Sequence, residues 1–149
     1  MARASLQWKQ KMEFLATTGS GHNLTLDARE AVGGENHGPR PAELVLVALA
    51  GCTAMDVVSI LRKMRIDFTR VDLEVSGKEA EEHPKVFTKI DVLYKVEGTD
   101  VPPEKLERAI VLSRDRYCVV SNLIKTRAAI NYAYQINSGP VVALEMLTT

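Results

Sequence analysis

Pro41-Ala42-Glu43-Leu44-Val45-Leu46-Val47-Ala48-Leu49-Ala50-Gly51-Cys52-Thr53-Ala54-Met55-Asp56-Val57, running on to Arg62-Lys63, is the stretch whose reading decides the fold. Proline favours the first helical turn, and Glu43 in that turn complements the helix dipole. From Ala42 to Lys63 the residues are apolar nearly all round, the mark of a helix buried on every face. The sequence therefore predicts one long central helix inside the core. Its most apolar run, Leu44 to Met55, is twelve residues between Glu43 and Asp56. A membrane span needs about 20, so a buried helix is expected and no membrane partner.

Working outward, the N-terminal side alternates in strand fashion. Ala4, Leu6, Trp8 and Gln10 oppose Ser5, Gln7, Lys9 and Lys11, and Met12 and Phe14 continue the apolar face. Thr17-Thr18-Gly19-Ser20-Gly21 is a turn cluster, and Asn23 to Asp27 alternates again, so a hairpin is expected. The glycine- and proline-rich segment 33–41 reads as a surface loop of the kind that carries function. On the C-terminal side, Val71, Leu73 and Val75 alternate, and after a charged turn Val86, Thr88, Ile90, Val92, Tyr94 and Val96 share one face. Two such runs predict a long antiparallel hairpin.

A second helix starts at Asp100-Val101-Pro102-Pro103, with Leu106, Ala109, Ile110 and Ser113 on its inner stripe, and Arg114-Asp115-Arg116 breaks it. Tyr117 to Arg127 predicts a third helix with Val120, Leu123 and Ile124 inward. Ile130, Tyr132, Tyr134 and Ile136 alternate as a last main strand, ended by Asn137-Ser138-Gly139-Pro140. Val141 to Thr149 fits a short strand or a packed tail equally well. This order of elements predicts an α+β fold: antiparallel sheets around a long buried central helix, in one domain spanning 1–149.

Composition narrows the function classes. The chain has 149 residues, 46% of them hydrophobic, with 19 basic and 19 acidic side chains. A balance of this kind lacks the broad positive footprint of a nucleic-acid or anionic-membrane binder. The first ten residues mix Arg3, Trp8 and Lys9 and show no apolar signal-peptide core, so a cytoplasmic, reducing setting is expected. Two cysteines, Cys52 and Cys118, lie too far apart in sequence for a CxxC motif and are too few for a disulfide scaffold or a Cys-based zinc site. His22, His37 and His83 share no ligand spacing, so no metal site is expected, and no cofactor motif is present. Ser59 and Asp56 lie on the central helix without a base to serve.

Each cysteine has a structural and a chemical reading. Cys52 is either a small buried hydrophobe or a reactive thiol. Gly51 beside it, costing about 1 kcal/mol in a helix relative to alanine, marks a close approach by another element or a ligand. Cys118 starts a short helix next to Arg116, where dipole and cation would lower a thiol pKa, or it is a small buried residue.

Gly34-Glu35-Asn36 leading into Arg40-Pro41-Ala42-Glu43-Leu44, then Ala48-Leu49-Ala50-Gly51-Cys52-Thr53-Ala54-Met55-Asp56-Val57, closely resembles the first cysteine helix of the OsmC/Ohr family of thiol-dependent hydroperoxide reductases. Tyr117-Cys118-Val119-Val120-Ser121 is similar to that family's second cysteine motif. Ser20-Gly21-His22 in the hairpin resembles the OsmC-like branch. The resemblance covers nearly the whole chain and implies an intertwined homodimer. It further implies that Cys52 is the peroxidatic residue, oxidised to a sulfenic acid, and that Cys118 resolves it as a disulfide. A small dithiol or a lipoyl-protein would be the reductant. Glu43 matches the glutamate that pairs with an arginine to hold the thiolate. The hairpin arginine of the hydroperoxide branch is missing here. Arg40 is the nearest basic candidate and His22 a weaker, pH-dependent one. Val119 stands where the family often has proline.

The leading expectation is thus a peroxidase of organic hydroperoxides with apolar tails. The alternative is a non-catalytic protein that holds a hydrophobic small molecule in the dimer-interface pocket. A third reading makes the cysteines structural and the dimer an interaction scaffold. The peroxidase reading requires the Cα atoms of Cys52 and Cys118 to lie within about 7 Å.

Overall fold

The computed structural model describes residues 1–145. The chain forms two compact units, Met1–Val45 and Leu46 onward.

The first unit is a three-stranded antiparallel sheet in the order β1-β2-β3: Ala4–Gln10, Glu13–Thr18 and Asn23–Leu26. The alternation read as continuous through Met12 and Phe14 is two strands. The chain reverses at Lys11-Met12, with Lys11 at φ 43° and Trp8 opposite Phe14. Periodicity cannot register such a reversal, because a two-residue turn preserves the alternation on both sides of it. A 3-10 turn, Glu30–Val32, ends at left-handed Gly33, and the following loop is pinned rather than loose. Buried Asp27 accepts hydrogen bonds from the backbone N–H groups of Ala28 (2.7 Å), Glu35 (2.9 Å) and His37 (3.1 Å). Gly34 lies so close to the chain that an added Cβ would sit 2.0 Å from the Ala28 carbonyl oxygen.

Helix α1, Pro41–Lys63, is the long helix the sequence predicts. It is not buried all round. Leu49, Thr53, Val57 and Leu61, four residues apart, form its buried stripe, whereas Val47 and Met55 are 61% and 74% exposed. By length and apolar content α1 could also cross a bilayer, which the twelve-residue count did not register. The buried stripe instead belongs to the core built with the second unit's strands.

That unit carries a four-stranded sheet in the order β4-β5-β6-β7: Arg70–Glu79, Phe87–Glu97, Ala129–Ile136 and Val142–Ala143. β4 and β5 form the expected antiparallel hairpin, and Ile90, Val92, Tyr94 and Val96 are buried along one face. The sheet is mixed, not purely antiparallel, because β6 runs parallel to β5. The helical segments between them provide the crossover a parallel pair requires. They are α2, Pro103–Leu112, a π-helical turn at Ser113–Tyr117, and α3, Val119–Ile124. Leu106, Ala109, Ile110 and Ser113 are all buried, as their spacing predicts. Arg114-Asp115-Arg116 widens the helix into the π turn instead of breaking it. In α3, Leu123 is 71% exposed and Ser121 takes the inward position. β7 is a short strand within the ambiguous tail, of which residues 146–149 lie outside the described part.

Candidate active site

The second unit brings both cysteines to one point. Cys52 lies mid-way along α1, half-buried, and Asp56 follows one turn later on the same side. Cys118 arrives from the crossover and is fully buried. The two sulfurs and a carboxylate oxygen of Asp56 all lie within 4.8 Å of one another, and both thiols are free. The π turn sets this placement. The Cys118 N–H donates to the Ser113 carbonyl five residues back, at 2.8 Å, and Cys118 then caps α3. Such one-turn π segments frequently occur at functional sites.

A chain of buried hydroxyls stands behind Asp56. Ser113 Oγ donates to Asp56 Oδ2 at 2.9 Å, Ser113 and Thr53 hydroxyls are 2.9 Å apart, and Thr53 also bonds the Tyr94 hydroxyl. Each hydroxyl has one proton to give. Because Ser113 gives its proton to the carboxylate, Thr53 must donate to Ser113 and Tyr94 to Thr53. The bonds run one way, from phenol to carboxylate. Burial pushes the Tyr94 phenol far above its ordinary value, so it stays a donor. On the other side, Ser121 N–H donates to Cys118 Sγ at 3.3 Å, and the Ser121 hydroxyl bonds the Tyr132 hydroxyl at 2.9 Å.

The electrostatics of Cys118 reverse the sequence expectation. Burial pushes its thiol well above the ordinary range, and neighbouring Cys52 and Asp56 act in the same direction. The Ser121 N–H opposes this but does not prevail. A helix of six residues, Val119–Ile124, has little dipole to offer a fully buried sulfur. The anticipated advantage of Cys118 as a thiolate is therefore absent.

The other expected site residues lie in the first unit. Arg40 and Glu43 do form a pair. The guanidinium bonds the carboxylate, which also accepts from the Arg40 backbone N–H at 2.9 Å. That backbone bond, and then the Arg40 charge, hold Glu43 below the usual carboxylate range. The arrangement is half of a capping box: the third helical residue reaches back to the cap N–H. Arg40 Nε is buried without a partner among the described residues. His22 is exposed and bonds the Ser20 hydroxyl at 3.0 Å within its own turn. His37 is held by Glu13 at 2.7 Å.

Sequence reading set Asp56 aside and missed Thr53, Tyr94 and Ser113 as site residues. One signal was available: Cys52 and Asp56 are i and i+4 on a helix, hence neighbours. Their partners come from β5 and the π turn, which no spacing in the chain reveals. The expectation at Gly51 also needs correcting. A Cβ there would meet no atom within 4 Å, so no described element approaches it.

Comparison with known proteins places the chain in a family. The family model described as OsmC-like protein matches residues 34–133. Protein YhfA of Escherichia coli K12 is 33% identical over 134 residues, covering 90% of this chain and 97% of its own. A crystal structure of a hypothetical protein from Aquifex aeolicus VF5 has TM-score 0.81 at 29% identity, covering 92% of this chain and 96% of its own. An organic hydroperoxide resistance protein OsmC from Legionella pneumophila shares the fold, with TM-score 0.67 at 17% identity, covering 91% of this chain and 96% of its own. With two thirds of its length matched by the family model and a relative one third identical over nearly all of it, the chain belongs to the OsmC-like protein family.

Proposed function

We propose that this protein is a two-cysteine peroxidase acting on organic hydroperoxides. The observation that carries the reading is the approach of the Cys52 and Cys118 sulfurs to within 4.8 Å as free thiols. The half-buried thiol of Cys52 is accessible to substrate, and the buried thiol of Cys118 needs only to reach its neighbour. The Cys52 thiolate attacks the terminal oxygen of the hydroperoxide. An S–O bond forms, the O–O bond breaks, and the alkoxide takes a proton to leave as alcohol. The Cys118 sulfur then attacks the sulfenic sulfur, giving a disulfide while hydroxide takes a proton to leave as water. Bringing the sulfurs to a bond of about 2.05 Å asks for a movement of a few ångströms at most. A small dithiol or a lipoyl-protein restores both thiols by exchange. In this reading Arg40, paired with Glu43, or else His22, reaches the Cys52 thiolate from across the dimer.

The working form in this proposal is a cytoplasmic homodimer. Exposed Val47 and Met55 on α1, and Leu6 and Trp8 on β1, are large apolar side chains in search of cover. Light scattering at micromolar concentration should give twice the chain mass, and a stable monomer would overturn this part.

Single-turnover kinetics with cumene hydroperoxide test the chemistry. Cys52→Ser should abolish peroxide consumption. Cys118→Ser should retain one turnover and trap a sulfenic acid on Cys52. The reverse pattern refutes the assignment of roles. If wild type and both variants leave peroxide untouched, a second reading, binding of an apolar small molecule, takes its place. A groove of about 440 Å³ on the β4–β7 sheet, lined by Val75, Leu93, Ala133 and Val141 among others, favours that alternative.

A further inference from the structure

Two soft sulfurs and one carboxylate oxygen converging on a point are a metal-ligand set as well as a redox pair. We propose that the reduced protein binds one zinc ion per chain through Cys52, Cys118 and Asp56, with water in the fourth position. The three donor atoms lie within 4.8 Å of one another. Zinc bonds of about 2.3 Å to sulfur and 2.0–2.2 Å to oxygen place tetrahedral donors roughly 3.6–3.8 Å apart. Closing the triangle on an ion takes side-chain adjustments of about 1 Å at that geometry.

The surroundings of these donors are those of a supported site. Ser113 Oγ donates to Asp56 Oδ2, and the other carboxylate oxygen has no hydrogen-bond partner among the described residues. Thr53 and Tyr94 hold Ser113 in turn. Ser121 N–H donates to Cys118 Sγ, a contact that suits a metal-bound thiolate. Two of the three ligands are thus oriented by an outer layer of hydrogen bonds, which commonly contributes ten- to a hundredfold to metal affinity. Cys52 and Asp56 are only half-buried, leaving a way in for the ion and a place for its water.

Charge and softness select the ion. Two thiolates and a carboxylate carry three negative charges, and among the described residues no Lys, Arg or His forms an ion pair with Asp56. A divalent cation would compensate two of them. Calcium and magnesium prefer oxygen throughout, whereas thiolate with carboxylate suits zinc. Three protein ligands and an open position differ from the four protein ligands of a closed structural zinc.

Cobalt(II) is the probe, with zinc as competitor, on the full-length protein reduced with a non-thiol phosphine and kept anaerobic. The expected result is a thiolate-to-cobalt charge-transfer band and tetrahedral ligand-field bands that saturate at one equivalent and bleach on adding zinc. Cys52→Ser and Cys118→Ser should each remove the charge-transfer intensity of one sulfur. Asp56→Asn should weaken affinity at least tenfold. Zinc should shield both thiols of the wild type from a disulfide labelling reagent, a readout that needs no variant to fold. Oxidation of the pair with diamide should abolish binding. The cluster of Glu13, buried Asp27 and His37 is the competing cation site, so Glu13→Gln serves as control and should change nothing. Absence of a charge-transfer band together with unshielded thiols overturns the proposal, as does a signal lost in Glu13→Gln or untouched in Asp56→Asn. The assay contains no peroxide, so its failure leaves the peroxidase reading standing, and failure of that reading leaves the zinc site standing.

Discussion

Replacing Thr53 by valine keeps its shape and removes the hydroxyl at the centre of the Tyr94–Thr53–Ser113–Asp56 chain. The direction of the bonds sets the magnitude. Tyr94 is fully buried, its hydroxyl is a donor, and Thr53 is its partner. Thr53→Val leaves that donor stranded, at about 1–3 kcal/mol for an unsatisfied buried group. Ser113 loses an accepted bond but still donates to Asp56, adding about 0.5–1.5 kcal/mol at most. The expected loss is about 1.5–4.5 kcal/mol on these figures, or roughly 3–18 °C in melting temperature for a domain of this size. Tyr94→Phe removes the same bond without stranding a donor and should cost about 0.5–1.5 kcal/mol. The double variant strands nothing, so its loss should fall short of the sum of the two by about 1 kcal/mol or more. Urea unfolding at one fixed protein concentration reads all four corners of the cycle, with the denaturant slope checked for constancy. Additivity within about 0.3 kcal/mol would refute the one-way chain.

Gly51→Ala should stabilise the protein by about 0.5–1 kcal/mol, because α1 has open space there and alanine is the better helix former; a loss on thermal melting would show that the space is filled in the assembled protein. Gly34→Ala should destabilise by about 1–3 kcal/mol, since its Cβ would fall 2.0 Å from the Ala28 carbonyl oxygen, and an unchanged melting curve would contradict the pinned loop. The hydrogen bond that His37 Nδ1–H donates to the Glu13 carboxylate raises the His37 pKa above 6.5. With the folded value above the unfolded one, the stabilisation is complete below about pH 6.5 and fades as pH rises through the folded value. An NMR titration placing His37 at or below 6.5, or no change on Glu13→Gln, would contradict the pairing.

Much of this was legible from spacing. Pro41 and Glu43 mark the start of α1, and the alternation in β4 and β5 marks a hairpin, because side-chain direction follows the backbone period. The stripe of α2 through Ser113 was readable for the same reason. The motifs around Cys52 and Cys118 pointed to the family that the comparisons show. The errors share a cause. Lys11-Met12 reverses the chain without disturbing the alternation, and Arg114-Asp115-Arg116 continues as a π turn where charge suggested an end. Both are decided by hydrogen bonds between residues, which residue types specify only weakly.

The sequence by itself determined the elements, the family and the two thiols, since these depend on local propensity, period and the identity of side chains. Only the tertiary structure decided what surrounds the thiols. Asp56 is one turn from Cys52 in the chain, but its significance comes from Cys118, carried to it by the crossover, and from Ser113 and Tyr94. The same folding reversed the electrostatics of Cys118. A helix start and nearby arginines argue for a thiolate, yet removal from water outweighs them and leaves a thiol. Burial depends on every element that packs around a group, and that sum exists only once the chain has folded.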